Sequence, residues 1–458
     1  MEVLLAHGAV LPTPDRVIKD GFVLIRDNRI AEVGAGKHPS NADVKVDCRE
    51  KLVLPGLIDA HVHMVQSLLR GAADGLSLIP WLRERIWPLE GYYNKELARL
   101  SAQLCCIEMI RSGTTTAVEC LLPFYFDEVA RVVDEIGLRA VLSRTLMDSP
   151  GYASTKDVIP ASMIETGDNS MRETLRSITR WHGKAENRIH VWFGPRTPGA
   201  CSPSFYREIG EQARERGVGV TIHLAEVQKD IDYIHKEYGL TPIQFMEDCG
   251  LAGPHVIYAH GIWLPPEDFQ RLKGDGSTVC HCPASNLKLA SGFAPIPELI
   301  GQGVNVALGC DGAPCNNTYD MIREMRLAAL IHKGRLLDPT VIPAEKVIEM
   351  ATLNGARALS RDWDIGSIKE GALADLITID LRKPHLVPVR DPRSTLVYAA
   401  SGADVDTVIV DGRILMEGRR LKSVDEGGVL ERVRERAAEI DDAFTKRKGA
   451  KKRGARDK

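Results

Sequence analysis

The sequence lacks long apolar runs, paired cysteine motifs and a strong excess of charge. No run of about 18 apolar residues occurs, so no transmembrane helix is predicted. The first residues, MEVLLAHGAVLP, lack the basic region of a secretory signal. The ten cysteines form no CxxC pair, which favours reduced thiols in a cytoplasmic protein over a disulfide framework. Acidic residues outnumber basic ones by 62 to 59 in 458 residues, which excludes a generally basic nucleic-acid binder.

The net charge of the chain is close to zero, but its C-terminal end is strongly basic. Residues 446–458 contain eight Lys or Arg and one Asp, giving +7, so the other 445 residues carry −10. We expect this stretch to be a disordered, solubilising tail. The alternative is weak, salt-sensitive binding of RNA or another anionic surface, accessory to the main function. Neither a nucleic acid nor a membrane is expected as a principal partner.

The two ends of the chain share a pattern of short β-rich runs separated by turns. GFVLIRDNRIAEVGAG and KLVLPG near the start, and GALADLITID and ADVDTVIVDGRILMEG near the end, are strand–turn–strand patterns. Each end is too small to bury a core alone, so we expect residues 1–55 and 361–425 to form one composite β-sandwich. We expect residues 426–445 to form a C-terminal helix with a polar face.

Residues 56–360 alternate strand and helix signals. Eight β-rich segments, each followed by helical sequence, are IDAHVH, TTTAVEC, RAVLSRT, HVWFGP, GVTIHLAE, HVIYAHG, STVCHCP and NVALGCDG. Eight strands alternating with helices are what a closed parallel (β/α)8 barrel requires. The sequence therefore predicts an α/β fold, with one TIM-type barrel of about 300 residues beside the sandwich, rather than the three domains suggested by roughly 150 residues per domain.

Residues able to bind a metal or carry a proton gather at the ends of four predicted strands. His61 and His63 in DAHVH are two residues apart, so they project from the same face of their strand. The other strand ends supply His223, Glu226, His260 and Asp311. Active sites of barrels form at the carboxyl ends of the strands, and imidazoles and carboxylates are ligands for divalent metals. The sequence therefore predicts a metal-dependent enzyme.

These motifs, in this order, resemble those of the amidohydrolase superfamily. The matching segments are PGLIDAHVH, HLAE, YAH, SNLKLASGFAPI, GCDGAPCNN and EMRLAAL. They are most similar to the branch that holds S-adenosylhomocysteine/methylthioadenosine deaminases and triazine hydrolases, and they span roughly residues 1–420. The resemblance implies a (β/α)8 barrel with a β-sandwich built from both termini. It also implies one divalent metal ion, zinc or alternatively iron, held by His61, His63, His223 and Asp311.

The resemblance also implies roles for the residues around the metal. The ion lowers the pKa of its water from about 15.7 toward 7, which supplies hydroxide at neutral pH. Asp311 accepts the water's proton and passes it to the leaving group. Glu226 contacts the substrate and protonates the ring nitrogen beside the attacked carbon, while His260 orients the attacking hydroxide. General acid–base steps of this kind contribute about 10²–10⁴-fold each.

Other types of metal hydrolase lack support in the sequence. Binuclear members of the superfamily usually carry a carboxylated Lys at the end of strand four, but HVWFGPRTPG has no Lys. The zinc site of cytidine deaminases needs H-x-E with P-C-x-x-C, and neither motif occurs at a compatible place. HExxH is absent as well. A single-metal site is therefore favoured.

Four further residues are candidates for contact with the substrate. Trp81 and Glu90 keep the nine-residue spacing of the family segment that contacts a nucleoside, where the carboxylate hydrogen-bonds the ribose diol. A core tryptophan and a surface acid are the structural alternatives. Arg144 is similar to an arginine that faces the substrate tail in some relatives. Arg196 stands where this branch usually has the His of GPHSP. Because Arg stays charged and accepts no hydrogen bond, an anionic or carbonyl-bearing substrate becomes an alternative.

The sequence as a whole predicts a metal-dependent aminohydrolase that acts on a small molecule. The expected reaction is deamination of an adenine-type nucleoside (5'-deoxyadenosine, methylthioadenosine or S-adenosylhomocysteine) or a related N-heterocycle. The alternative is hydrolysis of another C–N or C–Cl bond, in a triazine, guanine-like or cyclic amide substrate, at the same site. A non-catalytic scaffold is disfavoured because all four ligands, Glu226 and His260 are present. As in many relatives, a homo-oligomer is expected.

Overall fold

Two β-sheets organise the chain, one formed by its two ends and one by its middle. The computed structural model describes residues 1–38, 41–121, 124–152, 159 and 161–454. Within those residues no helix is long and apolar enough to cross a membrane. All ten cysteines are buried and have no disulfide partner, as the absence of a paired motif predicts.

The N-terminal strands form the first half of one sheet. Strands β1–β5 are Glu2–Thr13, Arg16–Arg26, Arg29–Ala35, Val44–Asp47 and Lys51–Pro55. The apolar runs separated by turns pair as predicted for hairpins, since β1 is antiparallel to β2 and β2 to β3. The other edge of β1 pairs in parallel with β4 and then with β5.

The middle of the chain forms the barrel. Strands β6–β14 are Leu57–His63, Thr114–Leu121, Arg139–Leu146, Ile189–Pro195, Val220–Leu224, Val256–His260, Thr278–His281, Asn305–Leu308 and Asp311–Gly312. Each strand from β6 to β13 pairs in parallel with the next. The short β14 then pairs with β6, so the eighth barrel strand is interrupted and its second piece closes the barrel. All eight predicted strands occur in order, and the predicted α/β barrel fold is confirmed.

The C-terminal strands complete the first sheet. Strands β15–β18 are Leu376–Asp380, Val405–Val410, Arg413–Glu417 and Arg420–Leu421. β15 pairs antiparallel with β5, so hydrogen bonding runs without a break from one end of the chain to the other. The result is one mixed sheet of nine strands with an apolar core of its own, which includes Val3, Val23 and Ile409.

Helices follow most of the barrel strands and pack against them. The α-helices before β15 are Leu78–Trp81, Trp87–Glu90, Lys95–Arg111, Phe126–Ile136, Gly167–Trp181, Lys184–Asn187, Pro203–Arg216, Gln228–Tyr238, Pro242–Asp248, Phe269–Asp275, Pro283–Lys288, Ile296–Gly301, Ala313–Asn316, Met321–Leu336, Ala344–Ala351 and Leu353–Ala358. Pro392–Tyr398 and Glu426–Gly454 follow β15. The 3-10 helices are Met64–Leu69, Ala161–Met163, Pro266–Asp268 and Gly402–Asp404, and Leu82–Ile86 is a π-helix.

The C-terminal helix is longer than the sequence predicts. It runs from Glu426 to Gly454, past the predicted end at 445 and through most of the stretch expected to be a disordered tail. Residues 455–458 lie outside the described residues. The physical reason is that Lys, Arg and Ala are good helix formers, so the basic segment continues the helix before it. The first half of the helix is anchored, since Arg111 Nε donates to Glu426 at 2.6 Å.

The barrel brings residues that are far apart in the sequence to one rim. Parallel strands present their carboxyl ends on the same side of a barrel. β6 ends with His63, β11 ends with His260, and β14 begins with Asp311. Asp311 pairs in register with Val62 on β6. The strand ends that the sequence singles out therefore surround a common space.

Candidate active site

Three imidazoles point into the barrel and meet at its centre. Alternation along β6 puts His61 and His63 on its inner face, with their ring centroids 5.0 Å apart. His223 enters from β10, and its ring centroid lies 4.7 Å from that of His61. One nitrogen from each of the three rings lies within 4.8 Å of the others. The predicted histidine cluster is thus brought together by the fold.

His63 and His223 direct lone pairs at each other. Their Nε2 atoms are 3.2 Å apart, while Nδ1 of His63 lies 2.8 Å from the carbonyl oxygen of Cys120 and Nδ1 of His223 lies 2.7 Å from that of Arg196. A carbonyl oxygen only accepts, so each Nδ1 carries the hydrogen and each Nε2 a lone pair. Burial lowers the pKa of His63 to about 3 and that of His223 well below its ordinary value. Two facing lone pairs on neutral rings repel, and a cation between them removes the repulsion.

Asp311 adds a negative charge beside the imidazoles. Its Oδ1 lies 3.3 Å from Nε2 of His63 and 3.6 Å from Nε2 of His61, and its Oδ2 accepts the hydroxyl of Ser285 at 2.6 Å. Burial alone would raise the pKa of Asp311, but the neighbouring imidazoles, His61 first among them and then His63 and His260, hold it well below its usual value. Three neutral imidazoles and one carboxylate match a single divalent ion such as zinc.

His61, His63, His223 and Asp311 are together called the metal-binding cluster, after the ion that they could hold. His260 and Glu226 form a second layer beside it. Nε2 of His260 lies 3.7 Å from Oε2 of Glu226 and 3.9 Å from Oδ2 of Asp311. Nδ1 of His260 lies 2.9 Å from Oδ1 of Asn286, so with Asn286 as acceptor the hydrogen is on Nδ1 and Nε2 faces the acids. Burial lowers the pKa of His260, but Glu226 and Asp311 outweigh it and the pKa is raised. Burial raises the pKa of Glu226, and His260 offsets this only in part.

Left-handed backbone torsions recur at this rim. The φ angles are 54° at Ala225, 75° at His260 and 64° at Asp311. Such torsions are uncommon for residues other than glycine and cost of order 1–3 kcal/mol each, and they cluster at functional sites because the surrounding structure holds them. At Asp311 the surrounding structure includes β6, because Asp59 Oδ1 accepts the backbone N–H groups of both His61 and Cys310.

A small cavity opens next to the metal-binding cluster and contains most of the predicted substrate residues. Trp81, Arg196 and Glu226 line it together with the leucines Leu78, Leu82 and Leu289. Glu90 is buried and reaches the cavity through Gln66, whose Nε2 donates to Glu90 Oε1 at 2.8 Å. Trp81 and Glu90 are only 4% exposed, so Glu90 is not the surface acid that was its structural alternative. The cavity thus combines an apolar wall with polar and charged groups, and such a combination holds and orients small molecules.

Arg144 is placed away from this cavity. Its Nη2 donates to Glu165 at 2.6 Å, and its Nη1 donates to the backbone oxygen of Ser170 at 3.3 Å. Both partners belong to the segment packed outside β8, and Arg144 lines a surface groove there. The side chain alternates with Ser143 and Thr145 along the strand, and it takes the outer face.

Several residues of the site escape the sequence analysis. Gln66 lines the cavity, three residues after the HVH motif. The hydroxyl of Tyr152 donates to Glu226 at 3.4 Å. Ser285 and Asn286 contact Asp311 and His260, and the SNLK motif that contains them is the signal that could have assigned them. For Tyr152 no such signal exists, because its loop reaches the site only through the fold.

The chain is similar over nearly its whole length to known hydrolases. Residues 52–415 match the model of the amidohydrolase family. The chain is 42% identical to a 5'-deoxyadenosine deaminase of Methanothermobacter thermautotrophicus, over 92% of this chain and 95% of that protein. It is 41% identical to a 5-methylthioadenosine/S-adenosylhomocysteine deaminase of Moorella thermoacetica, over 95% and 99%. The structure of a zinc-bound adenosine deaminase from Xanthomonas campestris matches with a TM-score of 0.90 and 29% identity, over 96% and 98% of the two chains. The resemblance seen in the motifs is confirmed, and the chain belongs to the amidohydrolase family.

Proposed function

We propose that this protein is a metal-dependent aminohydrolase that removes the exocyclic amine of an adenine-type nucleoside or a related N-heterocycle. The substrates in view are 5'-deoxyadenosine, methylthioadenosine and S-adenosylhomocysteine, after the names of the relatives that align over more than nine-tenths of the chain. The observation that carries the proposal is the joint placement of a metal-binding cluster and a buried acid, Glu226, beside one cavity. The net reaction exchanges the amine for water's oxygen and releases ammonia.

His61, His63, His223 and Asp311 are the residues that would hold the metal. Their fit rests on the two facing Nε2 lone pairs and on His61, whose two buried ring nitrogens have no hydrogen-bond partner among the described residues. A divalent ion bound there lowers the pKa of water toward 7 and so supplies a hydroxide nucleophile. Zinc is the proposed metal, with iron as the alternative, because imidazole nitrogen and carboxylate oxygen suit both.

Asp311, Glu226 and His260 are the residues that would transfer protons and orient the attacking water. Asp311, held as an anion, accepts the proton of the attacking water and delivers it to the leaving amine. Glu226, whose pKa burial raises, holds a proton and donates it to the ring nitrogen next to the attacked carbon, which makes the ring a better electrophile. His260 lies between these two acids and directs the attacking oxygen toward the ring carbon.

The cavity wall positions the substrate. The indole of Trp81 offers an aromatic face to a heterocycle, and stacked or edge contacts of this kind contribute about 0.5–1.5 kcal/mol. Glu90 has one oxygen bonded to Gln66, while its buried Oε2 has no hydrogen-bond partner among the residues that the structure describes. This free acceptor suits one hydroxyl of a ribose diol. Arg144 has no part in the proposed site, because Glu165 and Ser170 occupy its guanidinium.

Location and assembly complete the proposal. Ten buried, unpaired thiols suit a reducing compartment, and we place the enzyme in the cytoplasm. A homo-oligomer is proposed from the family resemblance alone. Size-exclusion chromatography with light scattering decides the oligomeric state.

The reaction is tested by ammonia release from a panel of substrates. The panel contains adenosine, 5'-deoxyadenosine, methylthioadenosine, S-adenosylhomocysteine, guanine and aminotriazines, with chloride release from chlorotriazines measured in parallel. Metal-loaded protein should release ammonia from at least one compound, and Asp311→Asn should abolish the release. If metal-loaded protein releases only chloride, the alternative C–Cl hydrolase is correct. If nothing is released from any compound, deamination is wrong.

A further inference from the structure

Arg196 differs from every other buried arginine of the described residues. Arg139 pairs with Asp375 at 2.7 Å, Arg144 with Glu165 at 2.6 Å and Arg188 with Asp134 at 3.0 Å. Arg196 is 5% exposed, and its buried Nη1 has no hydrogen-bond partner in the part of the chain that the structure describes. In the described residues no carboxylate forms an ion pair with it. This guanidinium lines the cavity that also contains Glu226 and the metal-binding cluster.

The backbone of Arg196 is held by two hydrogen bonds, so the position of its unpaired guanidinium is well defined. Its N–H donates to the oxygen of Leu146 at 3.3 Å, and its carbonyl oxygen accepts from Nδ1 of His223 at 2.7 Å. The second contact ties Arg196 to a residue of the metal-binding cluster. The side chain therefore starts from a defined point on the cavity rim.

An unpaired buried guanidinium lowers the stability of the folded protein, and a ligand that pairs with it can restore that stability. Arg is always charged and offers only donors, and a buried charge is strongly destabilising unless it is paired. Arg196 interacts electrostatically with three buried acids, Glu90, Glu119 and Glu226, but in the described residues none of them forms an ion pair with it. Burial raises the pKa of all three, so they are poor counterions. Asp311 is the anion that lines the same cavity, but its oxygens face Ser285 and the imidazoles. A bound molecule can therefore bring the negatively charged acceptor that the guanidinium has not found among the described residues.

A ring carbonyl supplies such an acceptor and a bare adenine ring does not. The oxygen of an oxo-substituted N-heterocycle carries substantial negative charge and becomes a full anion when the neighbouring ring nitrogen ionises. Adenine presents only neutral ring nitrogens, one of which is the site that Glu226 protonates. Hydrogen bonds to a charged partner are about twice as strong as neutral ones, so the guanidinium favours the oxo-substituted ring.

We propose that Arg196 is a specificity-determining residue that selects amine-bearing N-heterocycles which also carry a ring carbonyl, the carbonyl oxygen accepting from the guanidinium. The inference rests on the proposed deaminase function and names its substrate class more closely. Arg196 contacts the substrate and takes no part in moving the protons. Relative to the unsubstituted ring, the preference should be about tenfold to a hundredfold in kcat/KM, the range of one hydrogen bond to a charged group.

Matched substrate pairs test the proposal. The pairs are adenosine and isoguanosine, 2,6-diaminopurine and guanine, and melamine and ammeline; in each the second compound has a ring carbonyl that the first lacks. Metal-loaded, full-length protein should release ammonia faster from the carbonyl-bearing member of at least one pair, by tenfold or more in kcat/KM. Ammonia release with no such preference in any pair overturns the proposal and leaves deamination standing.

Substitution of Arg196 separates recognition from folding. Arg196→Met should remove the preference, Arg196→Lys should keep part of it, and Arg207→Met, at an exposed arginine paired with Asp248, is the matched control. Because Arg196→Met removes an unpaired buried charge, the free variant should unfold at the same or a higher temperature than wild type. A large drop in its unfolding temperature, or an intact preference, contradicts the proposal.

A binding measurement decides the inference even if deamination fails. If none of the six compounds loses ammonia, the proposed reaction is wrong, and thermal-shift titration of the same pairs is the remaining readout. The carbonyl-bearing compounds should then raise the unfolding temperature of metal-loaded wild type more than their partners do. The difference should vanish in Arg196→Met, and equal shifts in wild type refute the inference.

Discussion

Replacement of Glu226 by Gln removes one ionisable proton from the site and changes the shape of the side chain very little. Glu226 is 3% exposed, so its surroundings are fixed, and Gln has nearly the same shape. Among the described residues, its Oε2 lies 3.7 Å from Nε2 of His260 and accepts one long hydrogen bond, from Tyr152 at 3.4 Å. The amide of Gln can donate a hydrogen bond to a ring nitrogen but cannot transfer a proton to it.

The size of the loss follows from the role of the proton. A positioned general acid contributes about 10²–10⁴-fold, or roughly 3–5 kcal/mol of activation free energy, so Glu226→Gln should lower kcat by that factor. Metal content should stay at the wild-type value, because Glu226 is not among the proposed ligands. Tyr152→Phe is the matched control. It removes one weak neutral bond and should lower kcat by less than about tenfold.

The assay measures kcat for ammonia release, bound metal and unfolding temperature on the same preparations. A Glu226→Gln variant that keeps kcat within tenfold of wild type while fully metal-loaded would show that the proton on the ring nitrogen comes from elsewhere. A variant that loses its metal would show that Glu226 is a ligand. Either result refutes the role derived from the geometry.

Three further predictions concern the site, the stability of the barrel and the basic end. Asn286→Ala should lower kcat by about tenfold or more with unchanged metal content, because His260 then loses the hydrogen bond at Nδ1 that fixes the orientation of its ring; an unchanged kcat contradicts this. Burial raises the pKa of Glu324 from 4.5 to about 8, so the folded chain holds this proton more tightly than the unfolded chain. The contribution of Glu324 to the free energy of unfolding of wild type therefore falls as pH rises from 4.5 to 8. Gln carries no charge at any of these pH values, so the unfolding temperature of Glu324→Gln should rise relative to that of wild type between pH 5 and 9. If the difference between the two unfolding temperatures stays constant over this range, burial does not raise the pKa of Glu324. Deletion of residues 446–458 should leave kcat/KM unchanged, and a tenfold loss would assign the basic end a part in catalysis.

The sequence predicts most of the barrel and the metal-binding cluster because both follow from short-range pattern. Eight β-rich segments separated by helical sequence leave few alternatives to a closed barrel. Period-two alternation puts His61 and His63 on one face of β6. The location of active sites at the carboxyl ends of barrel strands then brings His223, His260 and Asp311 into the same space.

The rest of the site depends on loops, whose paths the local pattern does not determine. The contact of Tyr152 with Glu226 and that of Gln66 with Glu90 join segments that the sequence alone does not bring together. For Arg144, the alternation of β8 indicates two faces but not which one looks inward, and a shift by one residue exchanges them. The charge of the basic end predicts a disordered tail, but Lys, Arg and Ala also favour helix, and the final helix extends to Gly454.

Reconstitution with metal is the most direct test of whether this protein is a single-metal aminohydrolase. Metal-free protein is titrated with zinc or ferrous iron, and ammonia release from the best substrate of the panel is measured at each step. We expect no release without metal, a linear rise to one ion per chain and no further rise beyond that ratio. Release that does not depend on metal, or that requires two ions per chain, contradicts a single-metal aminohydrolase built on His61, His63, His223 and Asp311.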